Sequence, residues 1–452
     1  MPYSFHAGAA VTDISPGLGI PLAGYPHFPR HNTGIHDPLM AACIVLDDGA
    51  TRMAIVCIDT LFFSRRYVQK VRQSAEASTG IPAANILVCC SHTHSSPWGS
   101  DFFELGVPGD VIHPDAGYIA MLQDKLTSLI VKASADMFDA RLSVEKGICG
   151  REQGVGGNRR DPNGPADPEV WTMGIQDNRG KWRACLVKYA LHPTIIHEES
   201  TLVTADYPGY IRQYLSKHFP GMIMLFAQGT SGDQSTRYFR KGQSFDEAER
   251  IGTAIGRVAG EVLMRQEKLC GVRLGAWSEK VRLPLKHLPA RTEMESRVNR
   301  AREHYSSLKA AGAPYLDVQN ANLVMLGEED TLACVLAQER GDRIGFIEDE
   351  LPGEVQVIGI GDARLVGLPG EIFVEFGQRI QKGSPFPKTF VVTCANGILP
   401  GYVCTAEAYA AGGYETGASL LTPEAGDILT RTAVKILNDG KDYADFKKED
   451  CT

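Results

Sequence analysis

The chain lacks the marks of several common classes of protein. No apolar stretch approaches the roughly 18 residues that a membrane-crossing helix needs, so no spanning segment is expected. The amino terminus, Met1-Pro2-Tyr3-Ser4-Phe5-His6, has no basic region leading into an apolar one, which argues against a secretion signal. There is no run of Lys and Arg, and a formal net charge of −8 argues against nucleic acid as a partner. Neither a His-Glu-x-x-His nor a Cys-x-x-Cys pair occurs, so the helical zinc-protease and structural-zinc patterns are missing. Low-complexity linkers and internal repeats are absent too. Cysteine is present, but its number, eleven, is odd. Cys57, Cys89, Cys90 and Cys394 lie inside apolar runs, where a free thiol behaves as a small hydrophobe. Mostly free thiols and a reducing, cytoplasmic compartment are the expectation.

What is there suits a folded enzyme. The 452 residues, 43% hydrophobic and 22% charged, are enough to bury a large core. Apolar runs of strand length occur at Met53 to Ile58, Ile86 to Cys90, Ala184 to Leu191 and Met222 to Phe226. Helical spacing of apolar residues marks Ala116 to Lys132 (Ile119, Leu122, Leu126, Leu129, Ile130) and Ile251 to Met264. Arg291 to Lys309 reads as an exposed, charged helix. Intermixed strands and helices predict an α/β fold, a mixed β-sheet sandwiched by helices, with binding sites at the carboxyl ends of strands.

Those strand ends carry the chemistry. Ile86-Leu87-Val88-Cys89-Cys90 runs straight into Ser91-His92-Thr93-His94-Ser95-Ser96-Pro97, and alternation along an extended backbone points His92 and His94 to one side. As loop histidines with satisfied hydrogen bonds they need no function. As neutral imidazoles on one face they form half a metal site. A second run, Ala184 to Leu191, also delivers a histidine, in His192-Pro193-Thr194. A third, Arg364-Leu365-Val366-Gly367-Leu368, leads into Pro369-Gly370-Glu371 and delivers a carboxylate. Histidines and a carboxylate with one position left for water is a common composition for a hydrolytic zinc centre. Asp206 and Asp233, beside proline or glycine, are explained by turns and caps, and His36, His197 and Asp59 need no function as loop residues.

At this point the chain resembles the catalytic domain of the neutral (non-lysosomal) ceramidase family of zinc amidases. The resemblance runs in order through Ala7 to Pro16, Gly34-Ile35-His36-Asp37-Pro38-Leu39, the His-Thr-His-Ser segment, Asn158-Arg159 and Leu191-His192-Pro193-Thr194 with Ala205 to Tyr210. It continues through Gly232-Asp233-Gln234-Ser235, Pro369-Gly370-Glu371, and Gly401 to Tyr409 with Tyr414. Each motif alone is weak; eight in sequence are strong. It covers nearly the whole chain, read as one catalytic domain over 1–452, and is faintest over about 271–360, which is expected to be a β-rich or helical excursion shaping the substrate pocket.

The resemblance implies one zinc ion per chain on His92, His192, Glu371 and Tyr402, with His94 beside it as the acid/base histidine. Arg159 and Tyr414 would face the substrate carbonyl, and Tyr402 and Tyr414 keep the family's spacing of twelve. From chemistry alone Tyr402 would be a pocket hydrogen-bond donor, since its phenol must lose a proton with a normal pKa near ~10 to bind metal. The chain departs from the family at Ser235-Thr236-Arg237, where the family has Ser-Pro-Asn, and at Asn158-Arg159-Arg160-Asp161-Pro162, where either Arg159 or Arg160 could face inward. Ser235 is expected to orient the substrate, because Gly-Asp-Gln-Ser is not a nucleophile elbow. Secretion, membrane anchoring and a following immunoglobulin-like domain, usual in the family, are expected to be missing. The expected function is hydrolysis of an amide, ceramide-like or a smaller soluble one. The alternatives are an ester, lactone or sugar-derived substrate at the same centre, or a binding protein that has kept only the fold. The expected partner is a small-molecule substrate, with a lipid amide among the candidates; no oligomeric state follows from the sequence.

Overall fold

Successive side chains of a strand point to opposite faces, and in the continuous apolar runs at the centre of this protein both faces are covered. A computed structural model describes residues 5–103, 111–265, 272–341 and 350–440. Strands β1 (His6–Asp13), β2 (Met40–Asp47), β3 (Arg52–Ile58), β4 (Ile86–Cys90), β5 (Met137–Ile148), β6 (Glu169–Asp177), β7 (Trp182–Tyr189) and β8 (Ile223–Gln228) form one sheet. Its order is β8-β7-β6-β5-β1-β2-β3-β4. It is mixed: β3 and β4 pair in parallel, as do β7 and β8, and the other junctions are antiparallel. Edge strand β8 also lies against β2, β3 and β4, so the sheet curls toward closure.

A second, four-stranded sheet of β9 (Leu274–Val281), β10 (Gly353–Ile360), β11 (Ala363–Gly367) and β12 (Lys388–Val392) packs inside that curl. Ile44, Ile55, Leu87, Met173, Leu186 and Leu225 of the first sheet meet Ile358, Leu365 and Phe390 of the second. Trp171 stacks on Phe390 across the interface with ring centroids 5.3 Å apart.

The alternate residues face helices. Cys43, Val45, Val56 and Val88 pack against α1 (Arg65–Thr79) and α2 (Ala116–Ala135). Cys185, Val187 and Phe226 pack against α3 (Tyr207–His218) and α4 (Phe245–Arg265). Across the second sheet, Val355, Val357 and Val391 meet Phe376 and Leu429 of two later helices, Val374–Gly383 and Glu424–Asp439. The layers therefore run helix, sheet, sheet, helix. The mixed sheet and its helices agree with the expectation; the second sheet stacked against the first is the addition.

The segment least like the family has a simple plan. β9 and β10 pair antiparallel from Leu274↔Ile360 to Val281↔Gly353, and the chain between them carries helices α5 (Arg291–Ala310) and α6 (Tyr315–Glu339). The excursion is thus β-rich at its base and helical at its tip. In α5 only Met294 and Val298 are buried, as its charge predicts. Helix α6 packs on α5 and on the short helix Tyr414–Gly417.

Beyond β12 the chain closes the gap between the edges of the first sheet. Thr393 N donates to Gln228 O of β8 at 2.7 Å, and Cys90 N of β4 donates to Cys394 O at 3.1 Å. Asn396 Oδ1 accepts from Val88 N at 3.0 Å, while its Nδ2 donates to Gln356 Oε1 of the second sheet at 2.8 Å. Strands β4, β7 and β11 all end around this junction, and there the candidate residues gather.

Candidate metal centre and substrate cavities

His92 reaches the centre by a turn. Its backbone is left-handed (φ 67°), held by His92 N donating to Thr60 O at 2.9 Å. The extended alternation expected for His92 and His94 therefore does not hold. The turn nonetheless brings their rings together, with centroids 5.0 Å apart and planes at 87°.

Each of the two ligand-type histidines has one nitrogen tied to backbone. His92 Nδ1 lies 3.1 Å from Leu61 O, and His192 Nδ1 lies 2.6 Å from Ser231 O. A carbonyl can only accept, so both Nδ1 atoms carry the proton and both Nε2 atoms present lone pairs. Those lone pairs converge: His92 Nε2 and His192 Nε2 are 3.3 Å apart, and Glu371 Oε2 lies 3.2 Å and 2.9 Å from them. His94 completes a group of three histidines, with His92 and His192, whose ligand atoms lie within 4.8 Å of one another. Its Nδ1 is 2.8 Å from Gly24 O, so its Nε2, buried and without a hydrogen-bond partner among the described residues, also faces the centre. A Cβ at Gly24, itself at φ 99°, would stand 2.5 Å from His94 Cβ; the glycine is what lets this loop seat the ring.

Burial keeps His94 and His192 in the neutral form that can bind a metal. Burial, with the Arg159 charge, pulls His192 down to about 4. Burial, with His92 and His192, puts His94 well below the ordinary imidazole value. Neutral imidazoles and an ionised carboxylate on one point form a donor set suited to a divalent metal such as zinc. Without a cation there, converging lone pairs would repel, so the residues fit the expected metal.

Tyr402 sits on the rim. Glu371 and Tyr402 are register partners in a two-residue parallel pair, and the Tyr402 ring lies 6.5 Å from that of His192. Burial and Glu371 push its phenol well above the ordinary value, with Arg159 pulling the other way. To ionise and bind metal it needs the cation beside it. Tyr414 meets the Tyr402 ring edge-on at 5.8 Å.

The two arginines divide their roles. Arg159 is 7% exposed, its Cζ lies 5.3 Å from the Tyr402 ring, and its Nη2 makes no hydrogen bond among the described residues. Arg160 turns away, donating to Gly412 O at 2.6 Å. Glu415 bridges both, at 2.7 Å from Arg159 Nε and 2.6 Å from Arg160 Nη1. Ser235 lies nearby with its Oγ accepting from Arg237 N at 3.2 Å, and among the described residues no histidine is hydrogen-bonded to it. Asp206 and Asp233 serve the backbone, accepting from Tyr207 N at 2.6 Å and Val374 N at 2.9 Å.

Two cavities open beside the centre, sharing Gly24, Pro26, His94, Tyr402 and Tyr414 as a common wall. One, of about 120 Å³, has His92 and Glu371 in its floor and Phe62, Trp98, Ile398, Leu399 and Leu420 in its sides. A single water needs only about 10–15 Å³ on this measure, so the space admits a ligand. Helix α6 contributes Asp330, Thr331 and Cys334 to it. The other cavity is lined by Arg159, Ser235, Arg237, Arg240 and His197. Sequence reasoning did not single out Asp330, Arg237 or Arg240. The one signal available was the departure from the family pattern at Thr236-Arg237.

Comparison with known proteins gives a consistent picture. Residues 5–241 match the sequence profile described as neutral/alkaline non-lysosomal ceramidase, N-terminal. The chain is similar to the neutral ceramidase of Pseudomonas aeruginosa, 22% identical over 472 positions that cover 94% of this chain and 70% of that protein. It is 24% identical to neutral ceramidase A of Dictyostelium discoideum over 261 positions, 51% of this chain but only 36% of that one. The crystal structure of the Pseudomonas aeruginosa neutral ceramidase matches with a TM-score of 0.75 at 20% identity, covering 98% of this chain and 76% of that one. A ceramidase complexed with C2 matches at 0.72 and 18% identity, over 99% and 76%.

Proposed function

The chain belongs to the neutral/alkaline non-lysosomal ceramidase family, hydrolases of C–N amide bonds, and from that premise we propose that it is a zinc-dependent amidase whose substrate has an apolar arm. The observation that carries the reading is the convergence of His92 Nε2, His192 Nε2 and Glu371 Oε2 within 3.3 Å in the floor of an apolar cavity. His92, His192, Glu371 and Tyr402 would hold one zinc ion. When bound, that ion would polarise the carbonyl and acidify a water from its bulk pKa to about 7.

The chain's own groups do the rest. His94, neutral and with Nε2 free, takes a proton from the attacking water as oxygen bonds to the carbonyl carbon. The oxygen that becomes negative is met by donors from Arg159 and Tyr414. His94 then returns its proton to the amide nitrogen as the C–N bond breaks, leaving a carboxylic acid and an amine. Among the described residues no histidine is hydrogen-bonded to Ser235, which favours an orienting role over a nucleophilic one. Ceramide is named for the relatives; for this chain the class proposed is an amide with an apolar arm, ceramide-like or smaller.

The test combines metal analysis with turnover. His92→Ala and His192→Ala should lose stoichiometric zinc. His94→Ala should keep it while losing amide hydrolysis, and Tyr414→Phe should lose about 10²–10³ in turnover. Full zinc in both ligand variants, full activity without His94, or a trapped acyl-Ser235 would overturn the reading.

A further inference from the structure

The two cavities that share the His94–Tyr402–Tyr414 wall differ sharply in charge. The apolar one carries the carboxylates of Asp101 and Asp330, already engaged by Arg66 at 2.6 Å and by His27 at 3.1 Å. The second carries Arg159, Arg237 and Arg240 and no carboxylate among its described lining residues. Two of these arginines have no carboxylate partner among the described residues. Arg237 Nη1 reaches only Arg159 O and Asn320 Oδ1, both at 3.3 Å. Arg240 Nη1 donates to Thr194 O at 3.2 Å and to His197 Nε2 at 2.8 Å.

The acids close by are committed elsewhere. Glu415 is shared between Arg159 and Arg160, and Glu198 sits 2.9 Å from the Nδ1 of His197. Burial, with the neighbouring Arg159 charge, pulls Arg237 down to about 10, so it stays cationic at neutral pH without a counter-ion. Arg237 and Arg240 are half-buried, and a charge partly withdrawn from water still costs desolvation when it is left unpaired. Arg159, proposed above to face the scissile carbonyl, borders the same cavity and adds to its positive charge: it is 7% exposed, and its buried Nη2 makes no hydrogen bond among the described residues. Guanidiniums are built for planar oxyanions, which they bind through paired N–H donors.

We propose that this second cavity is an oxyanion subsite, and that the substrate is an amide with an apolar group on one side of the scissile bond and a carboxylate or similar oxyanion on the other. The inference rests on the amidase reading for the fate of the amide, but the subsite itself does not. The apolar arm takes the cavity beside Trp98 and Leu399, and the anion reaches past Tyr402 to Arg237 and Arg240. Asp101 and Asp330 at the other end disfavour the reversed orientation by like-charge repulsion. N-acyl amino acids are the simplest molecules of this class.

The experiment measures binding apart from chemistry. Calorimetric titration of the purified protein with N-octanoylglycine and with its uncharged counterpart N-octanoylglycinamide gives the two affinities. Charge-assisted bonds of this kind predict tighter binding of the anion by about 10- to 100-fold. Arg237→Gln with Arg240→Gln should erase that preference, and Arg237→Lys should keep part of it. Equal affinity for the two ligands in the unsubstituted protein, or a preference untouched by the double substitution, overturns the subsite. Hydrolysis by the zinc-loaded protein is scored separately. If the anion binds selectively and is not cleaved, the subsite stands and the amidase reading falls. If the neutral amide is cleaved as well as the anion and bound as tightly, the amidase reading stands and the subsite falls.

Discussion

Glu415 holds two guanidiniums, and much of the centre's order passes through it. Burial alone would raise its carboxyl, but Arg159 and Arg160 outweigh that and hold it at about 2. Removing one partner of a buried ion network leaves the other charges unpaired, so Glu415→Gln should cost about 3–5 kcal/mol at neutral pH. The sign follows from the depressed pKa. The charged carboxylate stabilises the fold fully above the ordinary value of 4.5, and that contribution is lost as pH falls toward about 2. Denaturant unfolding of the two proteins should show their stability gap closing over that window; a gap independent of pH would count against an ionised Glu415. At this scale the sequence was most legible where a residue ends an apolar strand. His92, His192 and Glu371, which the fold brings together, were read that way, although His92 and His94 meet through a left-handed turn that no alternation rule contains. Arg237 and Arg240 were not found, because a lone loop arginine has no spacing to read. Asp330 was missed for a related reason: directly after Glu328 and Glu329 in sequence, a carboxylate looks like part of a solvated face.

Among the elements, α6 is the one the centre depends on from outside the sheets. Its Gly327 touches backbone: a Cβ there would stand 3.1 Å from Tyr414 O and 3.4 Å from Gly417 Cα. Thr331, one turn on, donates to Gly417 O at 2.7 Å and fixes the contact. Gly327→Val should push α6 off the Tyr414–Gly417 helix at a cost of about 1–3 kcal/mol. Because Tyr414 lies at the contact, kcat/KM should fall while zinc content stays stoichiometric. Wild-type kinetics in this variant would show that Tyr414 is held from elsewhere. The charged character of α5 was readable from its residues. Its place was not, since β9 and β10 pair across the whole intervening helical hairpin, and register between distant segments leaves no local trace.

Over the whole molecule, the α/β class was legible and the stacking of two sheets was not. A strand buried on both faces reads as the same apolar run whether a helix or another sheet covers it. Leu87 and Val88 look alike in sequence, yet Leu87 faces the second sheet and Val88 faces helices. The cysteines follow the same logic. The nine described are all free and buried within these layers. Thiol titration in denaturant without reductant should therefore find mostly free thiols. Five disulfides among the eleven cysteines would overturn it.

The junction beyond β12 makes the centre a reporter of folding. His92 and His192 are separated by 100 residues along the chain and His192 and Glu371 by 179, and the first two come from one sheet while the third follows the other. In the unfolded chain these donors are far apart, so the ion would find its full set of ligands only after both sheets have docked. Metal affinity and conformational stability then become one linked equilibrium. At free zinc a hundredfold above its dissociation constant, the native state should gain about 2.7 kcal/mol. Thermal melts should rise with added zinc and fall with a chelator, and His192→Ala should respond to neither. A wild-type melting temperature indifferent to zinc would mean that the donors do not hold the ion as a set. If the linkage holds, metal supply sets how much of this protein survives unfolding and proteolysis, well before it sets how fast the protein turns over substrate.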